Sequence, residues 1–200
     1  LALVLAHCGT EEDRTPTPTP TPEPAPDPTP APNPNAGEIP DDLPNGLLLA
    51  YSQFPVREGR VVAEPGAARL EMLTRSGGAW HVEVLEDPSS NVFHKAMVYQ
   101  PPGGAPGILT AGGMGAAVKL WRREGDTWRA QTLWETEFGG RFNRMRDIEI
   151  GDLYGDHRPA LAIATHDQGV VATIRSDAAG QHTVAELVRT PNTFIHEIEI

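Results

Sequence analysis

A repeat of about 50 residues governs the sequence after residue 45. Three segments share one order of apolar runs, turn residues and a polar marker residue. The markers are His94, Arg146 and His196, which lie 52 and 50 residues apart. Self-similarity at such a period is typical of small supersecondary units that bury their apolar faces against one another. The repeat therefore restricts this part of the chain to folds made of units packed side by side.

The residues within each unit favour β-strands. Short β-branched and aliphatic runs alternate with turns rich in Gly, Asp and Pro, and no stretch keeps a helical period for more than two turns. In one unit the pattern predicts strands at residues 146–150, 160–165, 170–175 and 182–188. Four strands in about 50 residues match the blade of a β-propeller. A β-sandwich is the alternative, but it does not explain the register of the repeat.

The repeat also predicts the domain organisation. Blades are expected at about residues 46–90, 91–141 and 142–191, and residues 192–200 are expected to begin the first strand of another. We thus predict an all-β, partial propeller of about three four-stranded blades plus one strand. Because closed propellers have four to eight blades, we expect the chain to be incomplete.

A proline-rich segment precedes this domain. From Thr15 to Pro34 every second residue is proline, and this segment belongs to a linker predicted over residues 9–45. Such a composition lacks the backbone donors and apolar side chains that a core requires. It predicts a disordered, extended stalk with polyproline II geometry, on the order of 60 Å long.

The single cysteine, Cys8, follows a short apolar run that reads as the end of a signal peptide. Leu5-Ala6-His7-Cys8 resembles a bacterial lipobox, although His7 stands where that motif has a small residue. The resemblance implies a lipid anchor on Cys8 and a location in the bacterial cell envelope, at the outer membrane or cell surface. An ordinary secretory leader with an incidental cysteine is the alternative.

The net negative charge of the chain argues against a nucleic-acid partner. The chain carries 27 acidic residues against 16 Lys and Arg, a net charge of −11, and its longest basic run is Arg122-Arg123. Binding to nucleic acid depends on concentrated positive charge. We therefore expect no nucleic-acid partner, and contact with a membrane only through the lipid anchor.

The stretch from Ile148 to Thr165 resembles an FG-GAP (VCBS-type) repeat, the blade of integrin α-subunit propellers and of many bacterial secreted propellers. The resemblance implies a calcium loop after the first strand of the blade. Asp152 and Asp156 match two of its ligand positions, whereas Tyr154 and Ala160 replace two others. We expect a metal-free turn held by side-chain hydrogen bonds, with calcium as the less favoured alternative.

The blade register predicts where polar residues converge. The marker residues and the loop after the second strand are expected on one face, at the mouth of the channel. The residues expected to bind a ligand there are His94, Arg146, Asp147, His166, Asp167, His196 and Glu197. The alternative is that the acidic residues form structural ion pairs with Lys95 or Arg146 of neighbouring blades.

No complete catalytic motif accompanies these residues: the chain lacks Gly-x-Ser-x-Gly, His-Glu-x-x-His and a phosphate-binding glycine loop. We therefore expect a surface-tethered binding module for a polar ligand, carbohydrate or protein. The alternative is a secreted propeller enzyme of lyase or dehydratase type, with a metal or an acid/base pair at the channel mouth.

Overall fold

The computed structural model describes residues 46–200, and the predicted leader, Cys8 and the proline-rich segment lie outside the described residues. This part of the chain is all-β, with 13 strands in four antiparallel sheets and no helix between residues 46 and 200. Accordingly, the described residues include no helix with the length and apolar character needed to cross a membrane.

The strands follow the chain as β1 Gly46–Tyr51, β2 Val56–Arg57, β3 Arg60–Val61, β4 Ala68–Ser76, β5 Ala79–Asp87, β6 Phe93–Tyr99, β7 Gly107–Gly112, β8 Ala117–Glu124, β9 Thr127–Glu135, β10 Met145–Gly151, β11 Ala160–Thr165, β12 Val170–Ser176 and β13 His182–Arg189. The sheets have the orders β1-β4-β5, β2-β3, β6-β7-β8-β9 and β10-β11-β12-β13. Each of the two four-stranded sheets is thus a simple meander of consecutive strands.

The strands predicted within residues 146–188 are confirmed as β10, β11, β12 and β13, with boundaries that differ by no more than one residue. Residues 193–200 are not paired in a sheet. They run past the ends of β10 and β11, where Ile195 N–H donates to the Thr165 carbonyl at 3.3 Å and Ile198 N–H donates to Asp147 Oδ2 at 3.1 Å. Residues 195–198 therefore lie beside the part of β10 that carries Arg146.

Apolar burial between neighbouring sheets forms the core. One cluster lies between the two four-stranded sheets, and its largest members, including Leu109, Leu120 and Ile163, are fully buried. A second cluster joins the β1-β4-β5 sheet to the next one around Leu70 and Trp121. The indole N–H of Trp121 donates to Thr110 Oγ1 at 3.0 Å, so its polar atom is satisfied inside this core.

Lysines bridge both of these sheet junctions. Lys119 on β8 lies 2.7 Å from Asp87 on β5, and only 12% of the lysine side chain and 4% of the aspartate side chain are exposed. Lys95 on β6 lies 3.1 Å from Asp147 and 2.6 Å from Glu149, both on β10. Asp87 and Asp147 are the buried members of these pairs. A buried carboxylate that loses its cation is strongly unfavourable, so these two aspartates fix the strand positions at the junctions.

A β-bulge at the same place in β6 and β10 positions the candidate site. In β6 the pairing with β7 passes from Phe93 to Lys95 and leaves His94 unpaired. In β10 the pairing with β11 passes from Met145 to Asp147 and leaves Arg146 unpaired. A bulge turns the side chain of its extra residue away from the regular alternation. His94 and Arg146 are therefore re-aimed in the same way from adjacent strands.

The buried Lys119–Asp87 pair gives a stability prediction. Lys119→Met keeps the length of the side chain but leaves Asp87 buried without its cation, so we expect the free energy of unfolding to fall by about 3 kcal/mol. Urea unfolding followed by circular dichroism measures this change. The control is Arg129→Met, since Arg129 and Glu124 are 4.0 Å apart and 68% and 70% exposed, and it should change stability by less than about 0.5 kcal/mol. Equal losses in the two variants would contradict the assigned role of Lys119.

Candidate functional site

The two bulge residues are in direct contact. Arg146 Nη1 donates to His94 Nδ1 at 2.9 Å. A guanidinium group can only donate, so Nδ1 must present a lone pair, and the single proton of a neutral His94 ring is then on Nε2. The contact therefore aligns two side chains from neighbouring sheets and fixes the tautomer of one of them.

His166 lies beside this pair and is oriented by its neighbour in sequence. Its Nδ1 donates to Asp167 Oδ1 at 3.1 Å, and Asp167 Oδ2 accepts the backbone N–H of Phe142 at 2.5 Å. Burial raises the pKa of the Asp167 carboxyl group, but these hydrogen bonds and the His166 side chain outweigh that effect and lower it. Asp167 is thus a buried carboxylate that holds His166 and the chain around Phe142 in place.

Gly140 is required for that arrangement. A Cβ atom at this position would lie 2.2 Å from Asp167 Cβ and 2.3 Å from Asp167 Oδ2, which is far inside van der Waals contact. The absence of a side chain at Gly140 lets the segment before β10 approach the loop that carries His166 and Asp167.

Aromatic rings complete the site. The His166 ring stacks on Phe194 with centroids 4.6 Å apart, and it meets the edges of Phe142 at 5.4 Å and His196 at 5.7 Å. The Arg144 guanidinium lies 4.6 Å from the centre of the Phe142 ring. We call this group the histidine–arginine cluster, and its members are His94, Phe142, Arg144, Arg146, His166, Asp167, Phe194 and His196.

Positive charge and burial act together on His94. Burial, followed by the charges of Arg146, Arg144 and His166, lowers the pKa of His94 to about 4. The ring is therefore neutral at pH 7. Its neutrality keeps the Nδ1 lone pair available to Arg146.

Three hydrogen-bond donors of the histidine–arginine cluster are buried without a partner among residues 46–200. They are His94 Nε2, Arg144 Nε and Arg146 Nε. Within the same residues no carboxylate oxygen lies within 4 Å of either arginine. An unsatisfied buried donor costs about 1–3 kcal/mol. The site is therefore rich in donors and deficient in acceptors, and a bound acceptor would relieve this imbalance.

Five of the seven predicted ligand-binding residues meet in the cluster, and the other two do not. Asp147 is buried and bonded to Lys95, and it also accepts the backbone N–H groups of Ile148 and Ile198. Its contacts are those of the structural ion pair named as the alternative. Glu197 is exposed and adjacent to the cluster in sequence.

Sequence reasoning missed Phe142, Arg144 and Phe194. The segment Arg141-Phe-Asn-Arg-Met-Arg146 holds three arginines and one aromatic residue within six positions, and this density was the available signal. Arg141 also lies over Phe142, at 4.9 Å. The signal was weak because the repeat has no matching arginine at the corresponding place before His94 or His196.

The loop with the degenerate calcium motif lies elsewhere. Asp152 Oδ1 and Oδ2 accept the backbone N–H groups of Asp156 and His157 at 3.0 and 2.9 Å, and Asp156 is paired with Arg175. Both carboxylates thus hold the turn. No group of three or more metal-ligating side chains occurs in the part of the chain that the structure describes.

A mostly apolar hollow of about 290 Å³ is also separate from the cluster. Leu153, Tyr154, Leu187 and Ile198 contribute to its walls. It offers apolar surface without the concentration of donors found around Arg146.

Comparisons of the chain with protein-family models, curated proteins and solved structures find no match. The function is therefore inferred from the residues and their geometry alone.

The lowered pKa of His94 predicts a pH dependence of stability. An unfolded histidine takes up its proton near pH 6.5, whereas folded His94 does so near pH 4. The contribution of neutral His94 is thus complete above pH 6.5 and is lost as the pH falls towards 4. Unfolding free energies measured between pH 7 and pH 4 should decline less steeply in His94→Gln than in the wild type.

The matched control is His157→Gln, because the His157 side chain is 96% exposed. This variant should keep the wild-type slope. The pKa of His182 is also lowered, chiefly by burial, so His182 contributes to the slope that remains in His94→Gln. An unchanged slope in His94→Gln would show that His94 does not titrate as inferred.

Proposed function

We propose that this protein is an envelope-tethered binding module of the β-propeller class that holds a polar ligand, carbohydrate or protein, at the histidine–arginine cluster. The observation that carries the proposal is the set of three buried donors without protein partners at a point where two sheets meet. Native proteins satisfy nearly all buried polar groups, so three exceptions in one cluster call for a functional explanation.

Three features support the propeller architecture. The sheets β6-β7-β8-β9 and β10-β11-β12-β13 have the same strand order, and their first strands carry bulges at matching residues. Those first strands are neighbours, joined by Lys95 and Asp147. Equivalent strands that lie next to one another are expected of blades arranged around an axis. The FG-GAP-like stretch from Ile148 to Thr165 agrees with this proposal.

The contacts of His94 and Asp167 favour a role in binding over a role as a catalytic base. A general base needs an accessible lone pair and a pKa near the working pH. The lone pair of His94 is occupied by Arg146, and the pKa of His94 is about 4. The Asp167 carboxylate already accepts hydrogen bonds from Phe142 and His166. Neither His94 nor Asp167 is therefore free to act as the base of a lyase or dehydratase.

The proposed tether consists of the lipid on Cys8 and the proline-rich stalk. Two or more acyl chains anchor a protein stably, whereas one chain binds a membrane only reversibly. The stalk would hold the folded domain away from the membrane surface and so leave the cluster accessible to a large ligand.

The anchoring proposal predicts a change in cell fractionation. In bacteria that express the natural protein, Cys8→Ser removes the thiol that would receive the lipid. The protein should then move from the membrane fraction to the soluble fraction, as detected by immunoblotting. The control is Ser52→Ala, which leaves Cys8 intact. If wild type and Cys8→Ser fractionate identically, the lipobox assignment is wrong.

The binding proposal is tested by capture on an array of immobilised glycans and peptides. A ligand retained by the wild type should be lost by Arg146→Gln, since this change removes the guanidinium that links His94 to the site. The control is Arg158→Gln, because Arg158 is exposed and belongs to the turn held by Asp152 and Asp156, outside the cluster. Capture that survives Arg146→Gln unchanged would place the binding site elsewhere.

A further inference from the structure

The unpartnered groups of the histidine–arginine cluster have one chemical character. His94 Nε2, in the tautomer that Arg146 imposes, and the Nε atoms of Arg144 and Arg146 all carry hydrogen and cannot accept. A ligand that satisfies them must therefore supply acceptor lone pairs. Hydroxyl groups can donate as well as accept, so an acceptor-only group fits these donors better than a neutral polyol does.

The positive charge around these donors favours an anionic ligand. Arg141, Arg144 and Arg146 have no carboxylate within 4 Å among the described residues, while Asp167 contributes one negative charge that is already hydrogen-bonded. Residues 46–200 as a whole carry 19 acidic and 15 basic side chains. A concentration of unpaired arginines in an otherwise acidic domain creates a local field that attracts an anion.

The donor chemistry of the two arginines favours a carboxylate. Guanidinium groups bind the two oxygens of a carboxylate through parallel N–H bonds, one of them commonly from Nε. Both Arg144 and Arg146 have an Nε without a protein partner. Arg146 also uses only Nη1 for His94, so its other nitrogens face no competing protein acceptor among residues 46–200.

An aromatic surface adjoins these donors. Phe194 is 53% exposed, and its ring stacks on His166, which in turn contacts Phe142 and His196. The Phe194 ring, fixed on one side by stacking on His166, can pack its exposed face against the C–H face of a sugar ring. A carboxylate site beside an aromatic platform matches a sugar that carries its own carboxyl group.

From this combination we propose that the ligand is an acidic carbohydrate, whose uronate carboxylate binds Arg144, Arg146 and His94 and whose pyranose ring lies against Phe194. This inference rests on the proposed function, because it names the ligand class of the same site. It distinguishes a uronate from neutral sugars and from small inorganic anions, which satisfy only one part of the site.

Isothermal titration calorimetry of the full chain at pH 7 tests the inference. The probes are galacturonate, a galacturonate trimer, galactose, acetate and inorganic phosphate. We expect the two uronates to bind at least about tenfold more tightly than galactose, which has the same ring without the carboxylate. Arg146→Gln and Arg144→Gln should each weaken uronate binding at least about tenfold, and Arg146→Lys should weaken it less, because it keeps the charge but loses the fork of donors.

Phe194→Ala separates the two parts of the site. This variant should weaken uronate binding severalfold without changing the binding of acetate, which is too small to reach the ring. Arg158→Gln is the control and should bind uronates as the wild type does. Thermal unfolding of every variant establishes that it is folded, and Phe194→Ala, at a ring that is 53% exposed, keeps the inference testable if an arginine variant unfolds.

Each result has a defined meaning. Equal affinity for galactose and galacturonate, binding of phosphate without binding of uronates, or no uronate binding at about 10 mM would overturn the acidic-carbohydrate inference. The proposed function would survive these results if array capture still depended on Arg146. Uronate binding that is unchanged in both arginine variants would overturn the inference and the placement of the site together.

Discussion

The ion pair of Lys95 with Asp147 sets the geometry on which the site depends. It fixes strand β6 against strand β10, and the residue just before each partner is a bulge residue, His94 or Arg146. Because the Asp147 side chain is only 8% exposed, a slip of one strand along the other would leave its charge buried without a cation. The His94–Arg146 contact is thus determined by an interaction one residue away.

The histidine–arginine cluster lowers the stability of the folded domain. Three buried donors without protein partners each reduce stability by about 1–3 kcal/mol, and close positive charges repel one another. The contact of Arg144 with Phe142 recovers about 0.5–1 kcal/mol of this. Such locally unfavourable arrangements persist where the surrounding structure enforces them, here through Gly140, Asp167 and the two bulges. Removal of the cluster's charges should therefore give a more stable domain without the proposed binding site.

Much of the fold was accessible from the sequence, because the strands of β10–β13 consist of short apolar runs ended by Gly, Asp and Pro. The repeat also placed His94, Arg146 and His196 at comparable positions, and the first two are in contact. The role of Asp147 was not decided by its alternating pattern, since either an ion pair or a ligand contact suits an acidic residue on that strand face. Only packing against Lys95 distinguishes them.

Arg144 and Phe142 were beyond sequence reasoning for a different reason. They reach the cluster because the segment before β10 folds back on itself, with Phe138 N–H bonded to Asn143 Oδ1 at 2.7 Å and Asn143 in the left-handed region at φ 43°. The approach also needs Asp167, 25 residues from Phe142. Local propensity contains no information on a contact of that range.

Each bulge assigns two roles to two adjacent residues: one residue faces the cluster, and the next joins neighbouring sheets. In β6 and in β10 the bulge residue faces the cluster, while the next residue pairs across the junction between sheets. One repeat accordingly presents histidine and the other arginine at the same structural position without any change in how the sheets are joined. In the binding module proposed above, divergence of one repeat can therefore change the ligand preference while the residues that assemble the domain stay as they are.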